Sequence, residues 1–111
     1  MLSNLKSQMR KGLLEYCILS IISRDEAYGY SILDILKTSQ LLVVEGTLYP
    51  LLTRMKNEGL LSYRWQESTG GPPRKYYTLT PDGQQLLQQL HQEWQTISTA
   101  ISQITSNTPQ S

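Results

Sequence analysis

A chain of 111 residues, 39% hydrophobic and with a net charge of +1, has room for one domain with a modest core, and its helices gain more burial only by sharing it with a partner. No run of about 18 apolar residues occurs, nor a basic segment followed by a signal-type apolar region, so membrane-spanning and exported readings are excluded and a cytoplasmic protein is expected. The single cysteine, Cys17, lies in an apolar run and reads as a small hydrophobe, and the lone His91 has no cysteine or carboxylate neighbours at ligand spacing, so neither a disulfide, a metal site nor a cofactor is expected.

Residues 1–11 carry three basic and no acidic side chains and make a basic N-terminal arm. From Met9 to Ser23, MRKGLLEYCILSIIS is apolar at Leu13, Leu14, Tyr16, Cys17, Ile18, Leu19, Ile21 and Ile22, which is more than one face of a helix. Such a helix is buried on two sides, the second against another subunit or another long helix. Arg24, Asp25 and Glu26 form a charged turn, after which Tyr28-Gly29-Tyr30 opens a second short helix with Ile32, Leu33, Ile35 and Leu36 as its core side. The apolar QLLVV that follows reads as a loop or short extended segment that tucks Leu42 and Val44 inward.

Glu45 to Leu61 holds a third helix and its stop. Leu48, Leu51, Leu52 and Met55 form one apolar stripe, and Thr47, Tyr49, Thr53, Arg54, Lys56 and Asn57 occupy the remaining surface. That surface either binds a polar polymer or is simply solvated. Pro50 lacks an N–H and suits only a first turn, so propensity favours a start capped by Thr47; a start near Glu45 would put Pro50 in the second turn and cost a kink. Gly59 ends the helix, and Leu60-Leu61 return the chain to the core.

LLSYRWQES, the turn-rich TGGPPR and KYYTLT then predict a β-hairpin with a loop of several residues, Arg64 on its first strand and Arg74 and Lys75 at or beside its tip. Residues 47–80 hold five basic against two acidic side chains, so positive charge gathers on the third helix and the hairpin. Pro81 suits the first turn of a last helix, in which Leu87, Leu90, Trp94, Ile97, Ile101 and Ile104 recur at alternating separations of 3 and 4 residues. Such a heptad seam wants a partner helix. The expected class is mainly α with a β-hairpin: a winged helix-turn-helix over residues 1–80, a long C-terminal dimerisation helix over 81–105, and a disordered tail over 106–111.

MRKGLLEYCILSII, YGYSIL, EGTLYPLLTRMKNEGLL and GGPPRKYYTLTPDG, in this order and over roughly residues 8 to 97, resemble the PadR family of bacterial transcriptional regulators in its short form. The resemblance implies a homodimeric repressor, not an enzyme, whose third helix enters the major groove of a pseudo-palindromic operator in double-stranded DNA while its wing grips the backbone or minor groove. Thr47, Tyr49, Arg54 and Lys56 on that helix, Arg64, Arg74 and Lys75 on the wing, and Tyr28 and Ser31 at the start of the second helix are the implied contacts. Tyr49 has a competing reading as a half-buried staple. Where relatives commonly carry a capping serine, threonine or asparagine before the glutamate of the third helix, this chain has Val44, which cannot cap.

HQEWQTI resembles a multidrug-sensing branch of the family, in which a tryptophan paired across the dimer sandwiches planar aromatic molecules. For Trp94 the alternative is a knob in the dimer core; if it lines a pocket, Met9 and Tyr16 are candidate walls. An enzyme reading fails for want of a nucleophile beside a base, a paired carboxylate or a phosphate loop. The rival function is a winged-helix module for protein association, whose central helix and wing would be neutral or apolar.

Overall fold

Gly12, at φ +86°, breaks the first expected helix in two. A left-handed residue cannot continue a right-handed helix, so α1 spans Leu2–Arg10 and α2 spans Leu13–Arg24. The computed structural model describes residues 1–10, 12–25, 27–41 and 44–106. The supposed basic arm is thus itself helical, with Leu2, Leu5 and Met9 aligned and exposed along it. The remaining order is β1 (Ala27–Tyr28), α3 (Gly29–Thr38), α4 (Glu45–Asn57), β2 (Leu61–Ser68), β3 (Gly71–Leu79) and α5 (Pro81–Ser106).

The core joins Ile18, Leu19 and Ile22 of α2 to Ile32, Leu33 and Leu36 of α3 and to Leu48, Leu52 and Met55 of α4, closed by Ala27, Leu61 and Tyr77 from the sheet. The second face of α2 meets α5 of the same chain, through whose first turns Leu86, Leu87 and Leu90 pack on the core. Ile35 does not join it and is exposed. At about 100° per residue it stands well outside the arc of Ile32, Leu33 and Leu36. Val44 is exposed as well rather than tucked in, while Leu41 packs at the core margin; Leu42 lies outside the described residues.

Both helices that frame the turn end in the same device. After α4 the Leu60 N–H donates to the Met55 carbonyl and the Gly59 N–H to that of Lys56, with Gly59 at φ +80°. After α3 the equivalent bonds run from Leu41 to Leu36 and from Gln40 to Lys37, but the left-handed position is held by Gln40 at φ +66°. The start of α4 differs from the Thr47 cap that propensity favours. The helix begins at Glu45, and the Val44 carbonyl accepts the N–H groups of Thr47 and Leu48 at 3.0 and 3.1 Å. Pro50 therefore stands in the second turn, and the extra turn brings Glu45 to the positive end of the helix, where a carboxylate is favoured.

The sheet is antiparallel in the order β1-β3-β2. β1, unforeseen from sequence, pairs Ala27 with Tyr77 and Tyr28 with Tyr76. The hairpin turns at Thr69-Gly70, tighter than the expected loop, and Pro72 and Pro73 belong to β3. They are tolerated because β1 does not reach them and the β2–β3 register shifts between Gln66 and Ser68, so no ladder donor is missed there. Thr80 caps α5: its hydroxyl oxygen accepts the Gly83 N–H at 3.0 Å and its hydroxyl donates to the Gly59 carbonyl oxygen at 2.6 Å. Of the expected tail, Ser106 closes α5 and residues 107–111 lie outside the described residues.

Candidate nucleic-acid interface

The helical period gives α4 two exposed edges flanking its buried stripe. Tyr49, Thr53 and Lys56 share one edge; Thr47 and Arg54 share the other, roughly 100–180° away around the axis. The first edge faces the hairpin. The second faces α2, where Thr47, Leu51 and Arg54 border a cavity of about 710 Å³ together with Leu13, Leu14 and Cys17. Arg54 is ion-paired with Glu15 of α2, so part of its charge is neutralised within the chain. Burial pushes the Cys17 thiol above its ordinary range, which keeps it protonated and unreactive.

Tyr49 leans on the start of α3. Its ring lies over Gly29, where an added Cβ would collide with it. Burial, reinforced by the Glu45 carboxylate, pushes the Tyr49 phenol above its ordinary value, so the hydroxyl stays a hydrogen-bond donor. Tyr49 is 40% exposed, so the ring is half-buried as the staple reading requires, with one edge packed on Gly29 and part of its surface left open. Next to it, the Ser31 hydroxyl donates to the Tyr28 carbonyl at 2.8 Å, tying down the first turn of α3.

On the wing, Arg74 and Lys75 are not at the tip. They stand on β3 opposite Gln66 and Trp65, several residues back from the Thr69-Gly70 turn. Each basic group here lies over an aromatic ring: Arg74 over Tyr28 at 4.8 Å, Lys75 over Tyr63 at 4.6 Å and Trp65 at 5.4 Å, Lys56 over Tyr63 at 5.7 Å, and Arg64 over Tyr76 at 5.4 Å. Arg64 also donates to the Gln66 side-chain oxygen and lies on the outer face of the sheet.

Tyr28, Tyr49, Arg74 and Lys75 meet around a cleft of about 470 Å³ between α3, α4 and the hairpin, with Trp65, Tyr30 and Thr53 completing its walls. Four of the residues named from sequence are thus brought together. Ser31, bonded to Tyr28, and Lys56, over Tyr63, stand beside it, whereas Arg64 lies on the outer face of the sheet and Thr47 and Arg54 turn away from it. Thr53 lies on the helix surface that the sequence marks as polar, whereas Trp65 and Tyr30 are not singled out there; alternation along Leu61, Tyr63 and Trp65 is the available signal for the first.

The residues named for dimerisation and ligand binding stand at the other end. Leu87 and Leu90 are partly used by the core, whereas Trp94, Ile97, Ile101 and Ile104 are exposed along the far part of α5. Tyr16 is hydrogen-bonded through its hydroxyl to His91 Nδ1 at 2.6 Å, and Met9 is exposed on α1. No helix among the described residues is long and apolar enough to cross a membrane.

Comparison with known proteins places this geometry. The solved structure of a PadR-like transcription factor from Bacteroides fragilis is 54% identical and superposes with a TM-score of 0.77, covering 91% of this chain and 98% of that one. A PadR-like transcriptional regulator from Bacillus cereus is 42% identical with a TM-score of 0.79, covering 88% and 96%. Bacillus subtilis PadR, solved in complex with operator DNA, is 29% identical with a TM-score of 0.65, covering 71% of this chain and 45% of that one. The model of the transcriptional regulator PadR-like family matches residues 18–89, and with α3, α4 and the wing disposed as described, the chain belongs to that family of transcriptional regulators.

Proposed function

We propose that this protein is a homodimeric, sequence-specific DNA-binding repressor that works in the cytoplasm on an operator near its own gene. The observation that carries the reading is the cleft, in which the Tyr49 edge of α4 faces Arg74 and Lys75 of the wing. A helix edge with a donor hydroxyl suits base edges or phosphates, and cations on a strand suit the flanking backbone. Dimerisation is supported by two exposed apolar strips, Leu2-Leu5-Met9 on α1 and Trp94-Ile97-Ile101 on α5, which a second copy would cover. Two copies related by a two-fold axis would set their α4 helices on half-sites about one DNA turn apart.

A planar aromatic ligand held by Trp94 of each copy, with Met9 and Tyr16 as walls, would release DNA only if it bound unequally to the two spacings of the heads. Quenching of tryptophan emission by a panel of planar aromatics tests this, and a flat response across the panel removes the ligand.

The decisive experiment for the main reading is a gel-shift titration on DNA from upstream of its own gene and on unrelated DNA at two salt concentrations. Tight, selective, salt-sensitive binding is expected. Arg74→Ala with Lys75→Ala should lower the salt slope by about 2, whereas Arg54→Ala should change it by less than about 1 because Glu15 already holds that guanidinium. Weak binding, equal on both DNAs and insensitive to these changes, would favour a protein-association module instead.

A further inference from the structure

The hairpin carries an exposed indole with no assigned role. On β2, Leu61, Tyr63 and Trp65 point to one face, and their cross-strand partners Leu79, Tyr77 and Lys75 share it. Near the base of the hairpin this face is core: Leu61 is 2% exposed and Tyr77 5%. Four residues along β2 the same face has outrun the helices, and Trp65 is 61% exposed.

Its surroundings restrict what could cover it. The Tyr63 ring meets the indole edge-on at 5.9 Å, and the Lys75 ammonium lies 5.4 Å from its centre. The ring is therefore braced within the sheet while facing the cleft shared with Tyr49 and Arg74. An apolar protein surface laid on this ring would also bury the Lys75 charge without a partner, which is costly. A nucleic-acid backbone alternates apolar sugar faces with phosphates at close spacing, so it covers the ring and neutralises Lys75, while Arg74, which leaves β3 on the other face and lies over Tyr28, borders the same cleft and can meet a further phosphate.

We propose that Trp65 is a DNA contact of the wing, its indole packed against the deoxyribose units of the strand whose phosphates Arg74 and Lys75 hold. This rests on the DNA-binding reading above. The contact differs in kind from that of its neighbours: it adds affinity without displacing counterions, so it acts on every sequence and leaves the salt dependence alone.

The test uses the full-length protein and a mixed-sequence duplex at low salt, where backbone contacts suffice for binding. Trp65→Ala should weaken binding roughly tenfold with the salt slope unchanged, whereas Lys75→Ala should lower the slope by about 1. Trp65→Phe should recover most of the affinity. Independently, duplex should quench or shift tryptophan emission in the unaltered chain, and this response should vanish in Trp65→Phe, which leaves Trp94 as the reporter. If the unaltered chain binds with steep salt dependence but Trp65→Ala matches it and the emission response survives in Trp65→Phe, Trp65 is no contact and the DNA-binding reading stands. If the unaltered chain fails to bind duplex, both readings fall.

Discussion

Gly29 is the residue on which the cleft is built. A side chain there would strike the Tyr49 ring, so the smallest residue sets how closely α4 can approach the start of α3. Gly29→Ala should cost about 1–3 kcal/mol in urea unfolding, the range for overpacking, and should weaken DNA binding by displacing the ring. Gly46→Ala on α4 is the matched control. Nothing lies within 4 Å of its added Cβ, so it should be neutral or stabilise by up to about 1 kcal/mol. Equal losses from both substitutions would mean that Gly29 is not special. The sequence motif Tyr28-Gly29-Tyr30 announced the helix start, but that Tyr49 lies on the glycine depends on packing between residues far apart in the chain, and no local pattern carries it.

Among the elements, α4 is the one whose boundary departs from propensity. Val44 is extended, exposed and without a side-chain cap, yet the helix starts directly after it because its carbonyl already accepts two N–H groups. An oxygen-bearing side chain at this position could also reach a free N–H of the first turn. Val44→Ser should therefore raise stability by about 0.5–1 kcal/mol, read as a higher urea midpoint at constant slope. No gain would mean that those N–H groups are satisfied otherwise. The buried stripe of α4, the hairpin and the α5 seam were all legible, since each repeats a period over several turns or residues. β1 was not: two residues are too few for a period, and the strand exists because β3 offers them an edge. Nor was the break at Gly12, because one glycine between Lys11 and Leu13 carries no period that would reveal a left-handed position.

At the scale of the molecule, α5 dominates the shape. The chain measures 60 × 30 × 20 Å, and its radius of gyration of 16.6 Å exceeds the roughly 13 Å of a compact chain of this length. The excess is the far half of α5, whose seam has left the core behind. Ile97→Glu with Ile101→Glu should give a folded monomer by sedimentation velocity, with helical content retained. Losing the second head should cost about a hundredfold or more in operator affinity. A dimer that survives both charges would place the interface elsewhere. The heptad period made the seam visible, while the reach of the helix beyond the head depended on where the core stops.

The knot at Thr80 gives this shape a mechanical meaning. One hydroxyl both caps α5 and engages the Gly59 carbonyl just after α4, and the Gly83 Cα faces the Leu60 carbonyl where a Cβ would not fit. The two helices are thus pinned at a single point with little slack, and α5 acts as a lever whose fulcrum adjoins the end of α4. A helix of 26 residues is about 39 Å long, so a tilt of about 5° at the fulcrum moves its far end by roughly 3 Å. In the proposed dimer, a molecule that wedged the distal ends of two such levers apart would turn the two α4 helices by a like angle, converting a displacement of one side chain's width into misalignment with the DNA groove.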